Sequence, residues 1–153
     1  MTNWKRRRTR GDRTDTNLLV YAHDLTAPAH QAARKWWEES LSGQEPVGVP
    51  WVVVLAFVRL MTHSTLSENP MSVEQARRCV MGWLEQPICR VLPAGPGTIE
   101  RFFALLQGVG SGGNLCTDAL IAAVAEEYGG TVYSTDRDFD RFDGIRWKNP
   151  LAS

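Results

Sequence analysis

The chain has 153 residues, of which 43% are hydrophobic and 22% are charged, so its size and composition are those of one globular domain. No run of about eighteen apolar residues occurs, and the basic N-terminus is not followed by an apolar segment. This pattern argues against a membrane span and against a signal peptide. The cysteines form no Cys-x-x-Cys pair, which favours a reducing, cytoplasmic location over a disulfide scaffold or a zinc site.

The formal net charge of zero conceals an uneven distribution. Among the first fifteen positions, two acidic residues, Asp12 and Asp15, accompany six basic ones: Lys5, Arg6, Arg7, Arg8, Arg10 and Arg13. Of the 17 basic and 17 acidic residues in the chain, eleven and fifteen therefore belong to the remainder. We expect residues 1–13 to form a flexible basic arm, which either helps to hold a polyanion or is simply solvated.

Apolar spacing predicts the elements of the first half. A short apolar run at 18–22 is followed by residues 29–41, in which Ala33, Trp37 and Leu41 recur at four-residue spacing and predict a helix. Residues 51–60 follow Pro50, which suits the first turn of a helix, although their consecutive valines fit a buried strand as well. The length of this segment favours a helix.

The second half alternates between the two kinds of element. A capping-box pattern at 72–75 predicts a helix that ends before Pro87, and residues 88–92 have the length and branching of a strand. Thr98 begins the next helix, with Ile99, Phe102, Phe103 and Leu106 on one face.

The final elements follow a glycine-rich segment. Thr117 is predicted to cap a helix over residues 118–128, which ends at Gly129. Residues 131–135 are predicted to form a buried strand. This alternation indicates an α/β fold with a mainly parallel central sheet flanked by helices, formed as a single domain by residues 14–153.

Four aspartates lie where such a sheet would gather functional groups. Taken singly, Asp15 would form an Asx turn, Asp118 would complement a helix dipole, and Asp136 would cap the following turn. Asp136 and Asp138, however, follow a predicted strand, and Asp118 begins the helix that leads into it, so the three can face one another at one sheet edge. Clustered carboxylates predict a site for a hard divalent cation, Mg²⁺ or Mn²⁺, and phosphodiester chemistry.

Three blocks of sequence in this order, at 15–22, 113–119 and 134–142, resemble the PIN-domain ribonuclease toxins of the VapC type, and the resemblance extends over residues 14–151. It implies a Mg²⁺- or Mn²⁺-dependent endoribonuclease that is dimeric and is inhibited by a small VapB-like antitoxin that also binds DNA. Asp15, Asp118 and Asp136 correspond to the metal-binding catalytic acids of that family, with Asp138 a further nearby carboxylate.

The resemblance also assigns supporting residues. Asn17 and Thr135 belong to the same motifs as the acids. Arg59 is a candidate for neutralising an acid or contacting phosphate, or is simply a solvent-exposed helix arginine.

Two features depart from the family pattern. The family carries another acid in the segment matching residues 51–60, where this chain has none, and Asp138 is a candidate replacement. The family also has an apolar strand before its first aspartate, whereas residues 10–14 read Arg-Gly-Asp-Arg-Thr. Because burying unpaired charge costs on the order of several kcal/mol, we expect residues 1–14 to be extended and exposed rather than a central strand, and Asp15 to be held less firmly than the other acids.

Two other functions stay open. A PIN domain that has lost turnover would act as an antitoxin- or RNA-binding module, and metal-dependent cleavage by the purified protein would distinguish it. A receiver or phosphohydrolase domain would use one aspartate as a phosphoryl acceptor, but no suitably placed lysine follows the strands. His23, His30 and His63 lack a neighbouring nucleophile or ligand pattern, and Trp36 and Trp37 are expected in the core or an interface.

Overall fold

The computed structural model describes residues 12–14, 16–64 and 69–152. Within these ranges, a five-stranded parallel sheet has the strand order β3-β2-β1-β4-β5. The strands are β1 (Asp12–Thr14), β2 (Val47–Pro50), β3 (Cys89–Leu92), β4 (Thr131–Tyr133) and β5 (Trp147–Lys148). The α-helices are α1 (Thr16–His23), α2 (His30–Ser42), α3 (Trp51–Thr62), α4 (Val73–Glu85), α5 (Thr98–Val109) and α6 (Cys116–Glu127). The predicted α/β fold with a parallel sheet is confirmed.

The first strand corrects one expectation. We expected residues 1–14 to be unable to form a central strand, and this is wrong for β1, which pairs with β2 on one side and β4 on the other. Strand pairing uses backbone N–H and C=O groups, so a short polar segment can join a sheet when strands flank it on both sides. Residues 1–11 lie outside the described residues, so a basic arm is still a prediction for them, while Asp12 and Arg13 belong to the sheet.

Two helix starts differ from the sequence prediction. Pro50 ends β2, a fully buried strand that the sequence did not predict, and α3 begins at the next residue, Trp51. Thr117 does not cap α6, because a 3₁₀ turn at Gly113–Leu115 leads directly into a helix that begins at Cys116. Both changes arise because a short preceding element supplies the entry to the helix in place of a side-chain cap.

The remaining predicted elements are confirmed. In the capping box before α4, the Gln75 N–H donates to Ser72 Oγ at 3.1 Å, and the Ser72 N–H donates to Gln75 Oε1 at 2.8 Å. Gly129 follows α6 with a φ of +68°, a conformation that glycine adopts without steric cost. The reversal there turns the chain from α6 into β4.

An aromatic cluster forms the core between α1, α3 and α4. His23, Phe57 and Trp83 contact one another, and Trp37 packs edge-on against Trp83. Trp37 is buried, as expected for a core tryptophan, and Trp36 is half-buried and stacks on Tyr133. No helix within the described ranges combines the length and apolar character needed to cross a bilayer.

His23 is held in this cluster in its neutral form. Its Nδ1 lies 2.8 Å from the carbonyl oxygen of Leu19, and its Nε2 accepts a hydrogen bond from Trp83 Nε1 at 3.3 Å. A neutral ring that carries its proton on Nδ1 satisfies both contacts, because Nδ1 then donates to Leu19 and Nε2 accepts from Trp83. Burial lowers the pKa of His23 below its ordinary value of 6.5, and the hydrogen bond to Leu19 partly opposes this shift. The charge of Arg34 and the ring of His30 lower the pKa further.

We predict that the protein loses stability as the pH falls below 6.5, because the unfolded chain then takes up a proton that the folded His23 refuses. His23→Gln should lower the free energy of unfolding by about 1–3 kcal/mol near neutral pH, since it disrupts a buried hydrogen-bonded ring, and should flatten the pH dependence. Denaturant unfolding at about pH 7.5 and about pH 5.5 measures both effects. The exposed His63 provides a matched variant, His63→Gln, for the general effect of losing a histidine. An unchanged slope in His23→Gln would contradict the assignment.

Candidate metal centre

The topology of α6 and β4 brings Asp118, Asp136 and Asp138 to one edge of the sheet. Asp118 lies in the first turn of α6, where the positive end of the helix dipole favours a negative side chain. The chain descends through α6, reverses at Gly129, and returns through β4 to the same edge, where Asp136 follows the strand. The start of the helix and the end of the strand therefore meet, as the sequence predicted.

Three carboxylates form a compact group there. Asp118, Asp136 and Asp138 each offer an oxygen, and these oxygens all lie within 4.8 Å of one another. All three side chains are half-buried, so the group opens to solvent. Charges this close repel in a folded protein unless a cation offsets them.

Local hydrogen bonds fix the segment after β4. The buried Ser134 accepts a hydrogen bond through Oγ from the Asp136 N–H at 2.9 Å, and Asp136 Oδ1 accepts one from the Asp138 N–H at 2.8 Å. Asp136 thus caps the 3₁₀ turn Arg137–Arg141, as its simpler interpretation proposed, and it also offers a carboxylate oxygen to the group. Capping and cation binding are compatible roles for this residue.

The donor set fits a hard cation. Oxygens about 2.1 Å from an octahedral Mg²⁺ lie about 3.0 Å apart when adjacent and about 4.2 Å apart when opposite. Three ligands of one ion include at least two adjacent pairs, so oxygens that lie within 4.8 Å of one another need to close by no more than about 1.8 Å. Carboxylate oxygens with water completing the shell are the ligands that Mg²⁺ and Mn²⁺ prefer.

Of the other predicted site residues, three lie on described segments outside the group of three carboxylates, and one is not described. Asp15 lies outside the described residues. Asn17 is exposed in the first turn of α1, and Thr135 is half-buried between β4 and Asp136. Arg59 is exposed in the last turn of α3, and no described contact joins it to the acids.

One residue that positions the site was missed from the sequence. We selected Thr135 as the supporting hydroxyl, whereas the hydroxyl that bonds to the Asp136 backbone is that of Ser134, which has no exposed surface. The available signal was its position two residues before an aspartate, where serine hydroxyls bond to nearby backbone N–H groups.

Comparison with known proteins identifies the class of this fold and site. The model of the PIN domain family matches residues 14–145, and the chain belongs to that family. Ribonuclease VapC37 of Mycobacterium tuberculosis strain H37Rv is 38% identical to this chain over 138 residues, covering 90% of this chain and 96% of that protein. The chain therefore lies among the VapC ribonucleases of the family.

Solved structures show the same fold at lower identity. VapBC2 of Rickettsia felis, bound to a DNA fragment from its promoter, matches with a TM-score of 0.63 and 17% identity, covering 91% of this chain and 98% of the other. VapC20 of M. tuberculosis, a toxin that cleaves the sarcin-ricin loop, matches with a TM-score of 0.65 and 18% identity, covering 88% of this chain and 98% of the other.

We predict that Mg²⁺ or Mn²⁺ raises the melting temperature, because a cation relieves carboxylate repulsion in the folded state alone. At about ten times the dissociation constant the gain is about 1.4 kcal/mol, or roughly 4 °C for a domain of this size. A thermal-shift titration measures this gain, and Asp136→Asn should abolish most of it. The exposed Asp140 lies on the same turn outside the group, so Asp140→Asn should respond like the wild type. Equal responses in both variants would exclude this group as the binding site.

Proposed function

We propose that this chain is a metal-dependent endoribonuclease and the toxin of a toxin–antitoxin pair. The observation that carries the proposal is the three-carboxylate group at the sheet edge, in a PIN domain whose relative at 38% identity is a VapC ribonuclease. The free cysteines, Cys79, Cys89 and Cys116, are consistent with a cytoplasmic location, where thiols remain reduced.

In this proposal Asp118, Asp136 and Asp138 hold the cation, Mg²⁺ or Mn²⁺. When bound, such an ion orients the scissile phosphate, activates a water and offsets the charge that develops on the leaving oxygen. Asp15 is proposed as a further ligand and catalytic acid. In support, Thr14 lies opposite Tyr133 in the sheet, so β1 ends at the same edge as β4.

The supporting residues have distinct proposed roles. Ser134 holds the backbone of Asp136 and so aims its carboxylate. Thr135 and Asn17 remain candidates for polar contacts with substrate. The exposed Arg59 is a candidate for a phosphate contact at a distance from the acids.

A cognate VapB-like antitoxin and a second copy of the chain are the proposed protein partners. In support, the matching chain of VapBC2 of R. felis, which has the same fold, comes from a VapBC complex. Two exposed apolar pairs support self-association: Trp51 and Leu55 on α3 are 61% and 67% exposed, and Ile99 and Phe103 on α5 are 63% and 52% exposed.

An RNA- or antitoxin-binding module without turnover is the second candidate. The absence of an acid in α3 favours it. Phe57 is fully buried there against His23 and Trp83, so this part of α3 is used for packing.

We expect the purified protein to cleave cellular RNA only when Mg²⁺ or Mn²⁺ is present. Asp118→Asn and Asp136→Asn should each lower the rate by at least about 100-fold, since even outer-shell partners of a metal ligand are worth 10- to 100-fold. Initial rates of RNA cleavage, resolved by gel electrophoresis, measure the effect, with Asp140→Asn as the control. RNA binding without cleavage by the wild-type protein would favour the second candidate. Wild-type rates in both site variants would refute the assignment of the acids.

We also predict a dimer at micromolar concentration. Leu55→Glu and Phe103→Glu should each shift the protein toward monomer, because an unpaired carboxylate is costly to bury in an apolar interface. Light scattering coupled to size-exclusion chromatography measures the mass. Leu25 is 79% exposed in the loop between α1 and α2, outside both apolar pairs, and Leu25→Glu should leave the mass unchanged. A monomeric wild-type protein would contradict the prediction.

A further inference from the structure

The positively charged side chain of Arg141 lies near the acidic group. Arg141 belongs to the 3₁₀ turn that Asp136 caps and that contains Asp138. Arg141 Nη1 is 3.9 Å from Asp138 Oδ1, and the side chains of Arg141 and Asp138 are 50% and 48% exposed. Asp138 in turn contributes to the group whose ligand oxygens lie within 4.8 Å of one another. The guanidinium therefore lies close to one carboxylate of the group, and its side chain is partly open to solvent.

The backbone beneath Arg141 is fixed independently of this ion pair. Phe139 and Phe142, which flank the end of the turn, are 0% and 3% exposed, and their rings contact each other. The carboxylate of Asp136 caps the start of the same turn. These anchors hold Arg141 beside the group whether or not its side chain touches Asp138.

The fold gains little from the ion pair itself. Exposed pairs at this separation contribute little to stability, because water screens them and ordering two long side chains costs entropy. A half-exposed guanidinium can, in contrast, move by rotamer changes and donate two parallel hydrogen bonds to a phosphate. Its position favours a role in ligand binding over a role in folding.

We propose that Arg141 is a phosphate-binding residue of this site. In the RNA-free protein it offsets the negative charge of Asp138, and with RNA bound it donates to a backbone phosphate beside the carboxylates. This inference rests on the proposed nuclease function and adds a residue that the acidic motifs do not include.

The proposal predicts changes of opposite sign in two affinities. Removing a positive charge beside the carboxylates should tighten Mg²⁺ or Mn²⁺ binding by about threefold, because the cation no longer competes with Arg141. The same change should weaken RNA binding and reduce the slope of log K against log salt concentration by about 0.7, the contribution of one phosphate contact on a single strand. A residue that merely supported Asp138 would weaken metal binding when removed.

The experiment compares Arg141→Gln and Arg141→Lys with Arg137→Gln. Arg137 is an exposed arginine on the same turn, and no described ion pair joins it to the acids, so its variant reports the general effect of losing one positive charge. Metal affinity is measured by thermal-shift titration of Mn²⁺ without RNA. RNA affinity is measured by fluorescence anisotropy with a labelled, mixed-sequence single-stranded RNA over a range of salt concentrations, in the Asp118→Asn background so that the RNA stays intact.

The expected result is tighter metal binding and a smaller salt slope for Arg141→Gln, a restored slope for Arg141→Lys, and smaller changes for Arg137→Gln. Equal effects of Arg141→Gln and Arg137→Gln, or weaker metal binding in Arg141→Gln, would overturn the proposal. Wild-type protein that neither binds metal nor cleaves RNA would overturn the proposed function together with this inference. Wild-type protein that cleaves, with Arg141→Gln unchanged in both affinities, would overturn the role of Arg141 alone.

Discussion

The carboxylates of Asp118, Asp136 and Asp138 repel one another, and the fold has to hold them together against that repulsion. Their oxygens lie within 4.8 Å of one another, close enough for each charge to raise the cost of the others. A flexible segment would separate them, so the fold must hold them in place. The buried Ser134 hydroxyl and the aromatic anchors of the following turn provide that hold.

The parallel sheet determines where this repulsion is concentrated. All strand pairs are parallel, so the carboxyl ends of β1, β2, β3, β4 and β5 point to the same edge. A helix that precedes one of these strands must begin at that edge, which is how Asp118 on α6 meets Asp136 after β4. The position of the acids therefore follows from topology, and loop geometry only refines it.

The features that were predictable from sequence depend on local patterns. The capping box of α4 and the stop at Gly129 each rest on a few adjacent residues, and both are confirmed. The meeting of Asp118, Asp136 and Asp138 was also predictable, because one rule about strand ends places them together. β1 was not predictable, since Asp-Arg-Thr carries no strand signal and pairs only because β2 and β4 flank it. Ser134 and Arg141 were missed for a related reason: a hydroxyl or a guanidinium shows its role only when its partner is known.

The three described acids come from one continuous stretch of the chain. Their arrangement can therefore be kept although β1 and α3 depart from the family pattern. Asp118, Asp136 and Asp138 all come from α6, β4 and the turn that follows, so their arrangement depends mainly on the reversal at Gly129 and on packing of that unit. The polar strand β1 and the acid-free helix α3 lie outside this unit. In α3, Phe57 is buried in the aromatic cluster and contributes to the core. A site with fewer carboxylates repels itself less when it holds no cation and attracts a cation less strongly. The cost of folding and the proposed affinity for metal therefore fall together, and the role proposed for Arg141 is to adjust the balance between metal and phosphate without any change to the acids.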